Sequence, residues 1–394
     1  MDGRDVDRRS FLKRAGAGVG GLTLLAGCTG SGGDGAGDGT PTSPPTETAG
    51  EATDTATGTP TGTATGSPTS GEPSGALNVA TYSSFTGEGT AGNWLKSAFE
   101  ERYPEVTVEF STPENGINQF IQRKRQGAPI DADLYVGLNT GELVRVDETL
   151  DESLFAAARD RVAGTDSVKE GLRIDPQGRA IPYDTGYICI VYDEDEVESP
   201  ATFDALLEPA YEGDLITQNA QQSDPGRAFL LWSIITQGEE EYLDYWSELA
   251  NNGLRVLSDW EPAYNAYMNG EAAMVVSYST DQVYYHGEGV DMSRHQIAFL
   301  NDQGYANPET MALFADSDRA ELGRRFMEFV LTPEAQAEIA VRNVQFPAVE
   351  GVELPQEFSQ YAYEPPEPVT FTYEELSGNV STWIDRWARQ IVSG

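Results

Sequence analysis

Residues 272–286 read AAMVVSYSTDQVYYH, and the interpretation of the whole chain starts from this stretch. The apolar run at 273–276 has the composition of a short buried strand. Three tyrosines, an aspartate and a histidine follow it within ten residues. Hydrogen-bonding aromatic side chains at the end of a buried strand are compatible with a ligand pocket, with a metal site or with a tyrosine-rich hinge.

Two earlier strand-like segments also end in polar residues, namely ALNVATYSSF at 76–85 and ADLYVGLNT at 132–140. Helical patterns lie between them, around 94–102 and 117–126. This alternation predicts an α/β fold with mostly parallel sheets. Ligands of such sheets bind beyond the carboxyl ends of the strands. A body of roughly 320 residues favours two lobes over one core.

The N-terminus has the pattern of an exported lipoprotein. Arg8 and Arg9 open RRSFLK, a short apolar run follows, and Cys28 ends LAGC. We expect 1–27 to be a twin-arginine export signal with a lipobox, because the apolar run is shorter than the ~20 residues of a membrane span. Segment 28–75 would then be a lipidated cysteine and a disordered Thr/Gly/Pro-rich tether. The predicted location is extracytoplasmic, on a lipid anchor at the outer face of the cell membrane.

The charge of the chain is extreme. It has 64 acidic and 25 basic residues, only four of them lysine, and a formal net charge of −39. An acidic, lysine-poor composition is typical of proteins from high-salt habitats, where salt screens the self-repulsion. The same charge argues against a nucleic-acid partner.

Few residues suit catalysis. Cys189 lies in the apolar segment GYICIVY and is expected in the core, and His286 and His295 are the only histidines. This scarcity argues against histidine-based metal sites and triads. An extracellular hydrolase is the alternative from another functional class. Asp184 and Asp281 are weak candidates for catalytic carboxylates, because acidic residues are so frequent in this chain. Neither the nucleophile-elbow motif GxSxG nor the metalloprotease motif HExxH occurs. We expect no enzyme activity and no cofactor.

Six segments in order resemble one family. They are LNVATYSSFTGEG, DADLYVGLNTGEL, IPYDTGYICIVYDED, SDPGRAFLLW, SDWEPAYNAYMNGEAAMVVSYSTDQVYYH and FMEFVLTPEAQAEI. Their order and spacing resemble the thiamine-binding periplasmic proteins of ABC importers, from about residue 77 to the C-terminus. The resemblance implies an α/β, two-lobed type II periplasmic-binding-protein clamshell, in which each lobe is a mostly parallel sheet flanked by helices and two strand crossovers join the lobes.

The resemblance also implies lobe boundaries. Crossovers are expected near 182–187 and 279–285. Residues 76–184 and 285–394 would form the first lobe, and residues 185–284 the second.

The implied function is capture of thiamine or its phosphates between the lobes and delivery to the membrane subunits of an ABC permease, by a monomer. A flat heterocycle and a permanent cation both suit aromatic faces. The implied ligand-binding residues are Tyr82, Ser84, Asn139, Ser223, Trp260, Tyr278 and Tyr284. Among them, Ser223 matches a serine at the phosphate end of the ligand, and it can equally cap a helix.

Three positions depart from the family pattern: Asn139 stands where an aspartate is frequent, and Gly89 and Val344 stand where tryptophans are frequent. A ferric-iron-binding protein using Tyr284 and Tyr285 is the alternative within this fold class, and another small organic or oxyanionic solute also stays open. Iron proteins of the class use a histidine or carboxylate where this chain has serines and Asn139, so we expect no metal.

Overall fold

The computed structural model describes residues 73–287 and 289–392. The predicted export signal with Arg8 and Arg9, the lipidation site Cys28 and nearly all of the predicted tether lie outside the described residues. Within the described part of the chain, no helix combines the length and apolar character that crossing a membrane requires.

Eleven strands form one mixed sheet in this part of the chain. They are β1 Gly75–Ala80, β2 Val106–Ser111, β3 Leu134–Leu138, β4 Ala180–Tyr192, β5 Leu215–Gln218, β6 Arg255–Leu257, β7 Met274–Tyr278, β8 Gln296–Ala298, β9 Gln303–Leu313, β10 Phe346–Pro347 and β11 Glu367–Val369. The main path is β2-β1-β3-β9-β4-β7-β5-β6, while β8 and β10 pair with β4 and β11 pairs with β9.

Two parallel wings and two long strands make up the sheet. The first wing, β2-β1-β3, and the second wing, β7-β5-β6, each contain parallel pairs. The long strands β4 and β9 run antiparallel to each other and join the wings, because β9 pairs with β3 and β4 pairs with β7. The expectation of mostly parallel sheets linked by two strand crossovers is therefore confirmed.

Helices cover both faces of the sheet. They are α1 Ala91–Arg102, α2 Ile117–Arg125, α3 Thr140–Thr149, α4 Asp224–Gln237, α5 Tyr242–Asn251, α6 Trp260–Met268, α7 Asp281–Tyr285, α8 Ala320–Val330, α9 Pro333–Asn343, α10 Gln356–Tyr361, α11 Tyr373–Leu376 and α12 Val380–Trp387. Several short 3-10 turns connect them.

Separate apolar cores support the two wings. Phe99 and Phe326 lie in the core of the first wing, whereas Trp232 and Trp246 lie in that of the second. Cys189 is fully buried on β4, as expected for a core residue, and burial raises the pKa of its thiol.

The first crossover lies in β4, which includes the expected residues 182–187. The second crossover does not lie at the expected residues 279–285, which form a turn and the short helix α7. Strand β9 is instead the other strand shared by both wings. A strand of 11 residues is long enough to pair with both wings, whereas the polar residues after β7 start a helix.

The C-terminal helix also differs from the expected lobe division. Trp383 and Trp387 of α12, four residues apart on one helix face, are buried in the core of the second wing, and Trp387 meets Trp246 edge-on at 5.2 Å. Strand β8 pairs with the second-wing end of β4. Both elements fall in segment 285–394, which was expected in the first lobe.

Candidate ligand-binding site

The candidate site lies where the carboxyl ends of the wing strands meet over β4 and β9, the usual position for ligands of α/β sheets. The pairing of β4 and β9 places Asp184 opposite Glu309 and Gly186 opposite Asn307. The register shifts between Pro182 and Asp184. This irregularity brings Tyr183 and its neighbour Asp184 to the same glutamate, as β-bulges do near functional sites.

The carboxyl groups of the buried Asp184 and the half-buried Glu309 form the floor of the site. Tyr82 donates a hydrogen bond of 2.8 Å to Glu309 Oε2, and Tyr183 donates another to the same oxygen. Asn343 Nδ2 donates to Asp184 Oδ2 at 2.7 Å and to the Tyr82 hydroxyl at 3.0 Å. These contacts tie the first wing, both long strands and the end of α9 into one polar network.

The electrostatics of this floor favour a cation. Burial raises the pKa of Glu309 to about 7, although hydrogen bonds from Tyr183 and Tyr82 favour its charged form. Burial and then the nearby Glu309 raise the pKa of Asp184 well above its usual range. Among the described residues, Asp184 Oδ1 has no hydrogen-bond partner, and neither carboxylate forms an ion pair with lysine or arginine. A positive ligand charge would compensate both groups.

Tyr278 forms the wall contributed by β7. Its half-buried ring lies against Gly186, where an added Cβ would stand 2.5 Å from the ring and 2.5 Å from Gln345 Oε1. Burial and then Glu309 raise the pKa of the Tyr278 phenol, while a hydrogen bond with Asn307 opposes the shift. Glycine at 186 therefore lets an aromatic side chain lie flat across the long strands.

Trp260 is the first residue of α6, and its side chain is half-buried. Its Nε1 donates to Ser277 Oγ at 3.0 Å, and its ring stacks on Tyr264 with centroids 4.9 Å apart. Asp259 caps the helix by accepting from the Trp260 backbone amide at 2.8 Å. The indole is thus fixed by the Ser277 hydroxyl and the Tyr264 ring, while Asp259 fixes the backbone from which it extends.

Two of the predicted residues lie at helix starts. Asn139 caps α3 by accepting a hydrogen bond of 2.9 Å from the Glu142 backbone amide. Ser223 precedes α4 and is 2% exposed, and its Oγ has no partner within the described part of the chain. Asn139 and the start of α4 both line a small cavity of about 10 Å³ beside Asn307.

The starts of α3 and α4 also bring opposite charges together. Arg145 lies 3.8 Å from Glu142 on α3, and Arg227 lies 2.9 Å from Asp224 on α4. Burial and then Asp224 raise the pKa of Glu142 to about 7. The helix that follows the first wing thus faces the helix that follows β5.

Two predicted residues are more exposed. Ser84 lies in the exposed 3-10 turn Ser83–Phe85, beside Tyr82. Tyr284 is 48% exposed, and its ring lies 6.1 Å from the ring of Tyr285. Gly89 lies in the exposed loop after Ser84, and Val344 packs beside Phe346 in an apolar cluster.

The adjacent tyrosines suggested for iron do not form an open pair. Their ring centroids are 6.1 Å apart, and Tyr285 is stacked between Tyr264 and His295 at 5.4 and 4.3 Å. Across residues 73–287 and 289–392, no group of three or more His, Cys, Asp or Glu side chains is arranged to hold a metal ion.

Sequence reasoning missed Glu309, Tyr183, Asn307 and Asn343, and it gave little weight to Asp184. A glutamate in the middle of the strand-like segment NPETMALF, at 307–314, was an available signal, because a charged residue inside a buried strand is rare unless it has partners or a function.

Two parallel wings joined by two antiparallel strands, with an acidic, tyrosine-lined floor between them, define a type II periplasmic binding protein. The chain belongs to the bacterial extracellular solute-binding protein family, which it matches over residues 94–365. This family consists of non-enzymatic transport components with extracytoplasmic members, and the expected fold class is confirmed.

Named relatives narrow the comparison. The chain is 28% identical to the thiamine-binding periplasmic protein of Escherichia coli (strain K12), over 80% of this chain and 93% of that protein. It resembles the solved structure of a periplasmic thiamin binding protein with a TM-score of 0.69 and 28% identity, over 82% and 98% of the two chains. It is also 24% identical to iron uptake protein A1 of Synechocystis sp. (strain ATCC 27184 / PCC 6803 / Kazusa), over 64% of this chain and 71% of that protein.

Proposed function

We propose that this protein is the solute receptor of an ABC importer and that it captures thiamine as a cation. One observation carries the proposal: the buried Asp184 and the half-buried Glu309 lie opposite each other, and neither has a basic partner among the described residues. Buried acids of this kind stay protonated or require a positive ligand charge. The permanently charged thiazolium supplies that charge, and the names of the relatives support the same ligand.

The aromatic side chains around the acids suit the rest of such a ligand. Tyr82 and Tyr278 stand beside Glu309, and Trp260 is held on the second wing. A cation over a desolvated aromatic face gains about 0.5–2 kcal/mol, and a stacked heterocycle gains about 0.5–1.5 kcal/mol beyond burial. Binding that engages both wings at once would shift the receptor towards a closed state.

The charge at the start of α4 favours thiamine over its phosphates. Ser223 and the helix amides are suited to an anion, but Asp224 follows directly and Glu142 lies near it. Arg227 is already paired with Asp224 at 2.9 Å. We therefore place the hydroxyethyl arm, without phosphate, at this end of the site.

The remaining parts of the proposal concern delivery. Export by the twin-arginine signal and lipidation of Cys28 would tether the receptor to the outer face of the membrane. A monomer would close on the ligand, carry out no reaction on it, and hand it to the permease. The acidic composition supports work at high salt.

Calorimetric titration in molar salt tests the ligand. Thiamine should bind with a dissociation constant below about 1 μM, thiamine monophosphate should bind more weakly, and chelated ferric iron should give no saturable heat. A coloured, stoichiometric iron complex without thiamine binding would replace this proposal by the iron alternative.

Two variants test the location of the site. Trp260→Ala and Tyr278→Ala should each weaken thiamine binding by about 1 kcal/mol or more, with an unchanged circular dichroism spectrum. Tyr211→Ala is a matched control, because Tyr211 lies in a 3-10 turn before the amino end of β5, whereas the site lies beyond the carboxyl ends of the strands. Wild-type affinity in both site variants would remove Trp260 and Tyr278 from the site.

A further inference from the structure

A buried pair, formed by an aspartate and a histidine, lies next to the aromatic side chains that pack against Trp260. Asp281 begins α7, and His295 ends a 3-10 turn fourteen residues later. His295 Nδ1 lies 2.7 Å from Asp281 Oδ2, and the Tyr264 hydroxyl donates to Asp281 Oδ1 at 2.5 Å. The pair is almost completely buried, with His295 1% and Asp281 5% exposed. Each carboxylate oxygen therefore has one partner, from a different element of the fold.

These partners belong to a column of four rings. The His295 ring stacks on Tyr285 at 4.3 Å, Tyr285 stacks on Tyr264 at 5.4 Å, and Tyr264 stacks on Trp260 at 4.9 Å. The interplanar angles are 14°, 9° and 26°. Trp260 is the end of the column that the proposed function assigns to the ligand.

Apolar residues in place of Asp281 and His295 would avoid the free-energy cost of desolvating polar groups. A buried polar pair generally adds little stability over apolar residues of similar volume, and its best-supported benefit is a defined geometry. Here Asp281 forms hydrogen bonds with two members of the column, the Tyr264 hydroxyl and the His295 ring. Gln282 adds a second tie, since its Nε2 donates to the His295 carbonyl at 2.7 Å.

We infer that Asp281 and His295 are positioning residues that hold Tyr264 and Tyr285, and through these rings set the orientation in which Trp260 meets the ligand. The inference rests on the proposed function, which places Trp260 in the site. Neither Asp281 nor His295 needs to touch the ligand in this arrangement. Their effect on binding passes through Trp260.

The first test uses ligand affinity in a double-mutant cycle. Asp281→Asn and Tyr264→Phe should each weaken thiamine binding by on the order of fivefold, and the double variant should be little weaker than either. Both changes act on one hydrogen bond, since Asn replaces its carboxylate acceptor with an amide and Phe removes its donor. Asp175→Asn is the control: Asp175 belongs to a buried ion pair with Arg179, and its loss should lower the melting temperature without changing affinity. Wild-type affinity in well-folded Asp281→Asn and Tyr264→Phe would overturn the inference.

The second test needs no ligand. The fluorescence of Trp260 is isolated by subtracting the spectrum of Trp260→Phe in each background. Asp281→Asn and Tyr264→Phe should both change the emission and iodide quenching of Trp260, whereas Asp175→Asn should not. An unchanged Trp260 signal overturns the inference even if affinity falls. A changed signal in a protein that binds no thiamine keeps the positioning role and rejects the proposed ligand.

Discussion

Thiamine affinity should rise about tenfold between pH 6 and pH 8, because Glu309 must be ionised to attract a cation. Glu309 is half-buried with Asp184 beside it, and desolvation of its carboxyl group raises its pKa to about 7. A bound cation favours the charged carboxylate and lowers this pKa. Below pH 7, therefore, the ligand must displace a proton from Glu309.

The magnitude follows from the fraction of ionised glutamate. With a pKa of about 7, Glu309 is ionised in about 9% of molecules at pH 6 and in about 91% at pH 8. If only the ionised form binds, the dissociation constant falls about tenfold over this range, which corresponds to about 1.4 kcal/mol. Close to pH 7, binding should release about half a proton.

Without ligand, the stability of the folded protein changes with pH in the direction opposite to the thiamine affinity. The pKa of Glu309 is raised in the folded state, so between its ordinary pKa of 4.5 and about 7 the unfolded state binds fewer protons than the folded state. Stability contributed by this group is therefore present below pH 4.5 and is lost as the pH rises towards 7. Saturating thiamine should reduce this loss, because the cation stabilises the charged form.

The assay is calorimetric titration from pH 6 to pH 8 in buffers of different ionisation enthalpy, which gives affinity and proton release together. Glu309→Gln should bind more weakly and with a flatter pH dependence. Glu142→Gln is the comparison variant and should keep the pH dependence: burial also raises the pKa of Glu142 to about 7, but Glu142 lies at the start of α3, at the end of the site assigned to the hydroxyethyl arm.

Two results would refute this reasoning. One is an affinity of the wild-type protein that is constant from pH 6 to pH 8. The other is a pH dependence that persists in Glu309→Gln and disappears in Glu142→Gln, which would assign the proton to the contact between α3 and α4.

Three further outcomes are expected. Gly186→Ala should cost about 1–3 kcal/mol in stability and weaken thiamine binding, because the added Cβ would overlap the ring of Tyr278. Gly171→Ala is the control: an added Cβ there has nothing within 4 Å, so the melting temperature and the thiamine affinity should both stay unchanged. Arg179→Met should lower the free energy of unfolding in urea by about 3–5 kcal/mol, since it leaves the fully buried Asp175 side chain without its ion pair; a loss below 1 kcal/mol would contradict the role given to this pair. Raising salt from 0.1 M to molar concentration should raise the melting temperature by screening the net charge of −39, and a lower melting temperature would count against a surface adapted to salt.

The sequence by itself determined several of the strands and helices and the class of fold. Apolar runs ending in polar residues marked β1, β3 and β7 correctly, and strand–helix alternation indicated mostly parallel sheets. These features follow from local periodicity, which a single sequence displays directly. It also placed Tyr278 at the end of a buried strand, while its role in ligand binding stays a prediction.

Only the tertiary structure decided where the second crossover lies and which wing the C-terminal helix packs against. Strand β9 has the same local pattern as other buried strands, and nothing in its sequence shows that it pairs with both wings. Similarly, the spacing of Trp383 and Trp387 predicts an apolar helix face but does not specify the core that this face joins.

The acidic floor also came from tertiary structure alone. Tyr183 and Glu309 are 126 residues apart, and they meet because β4 and β9 pair antiparallel in one register, with an irregularity beside Asp184. In a chain with 64 acidic residues, composition cannot distinguish a buried carboxylate from a solvated one. Periodicity shows which face of a strand is buried, whereas the register between distant strands decides which side chains meet there.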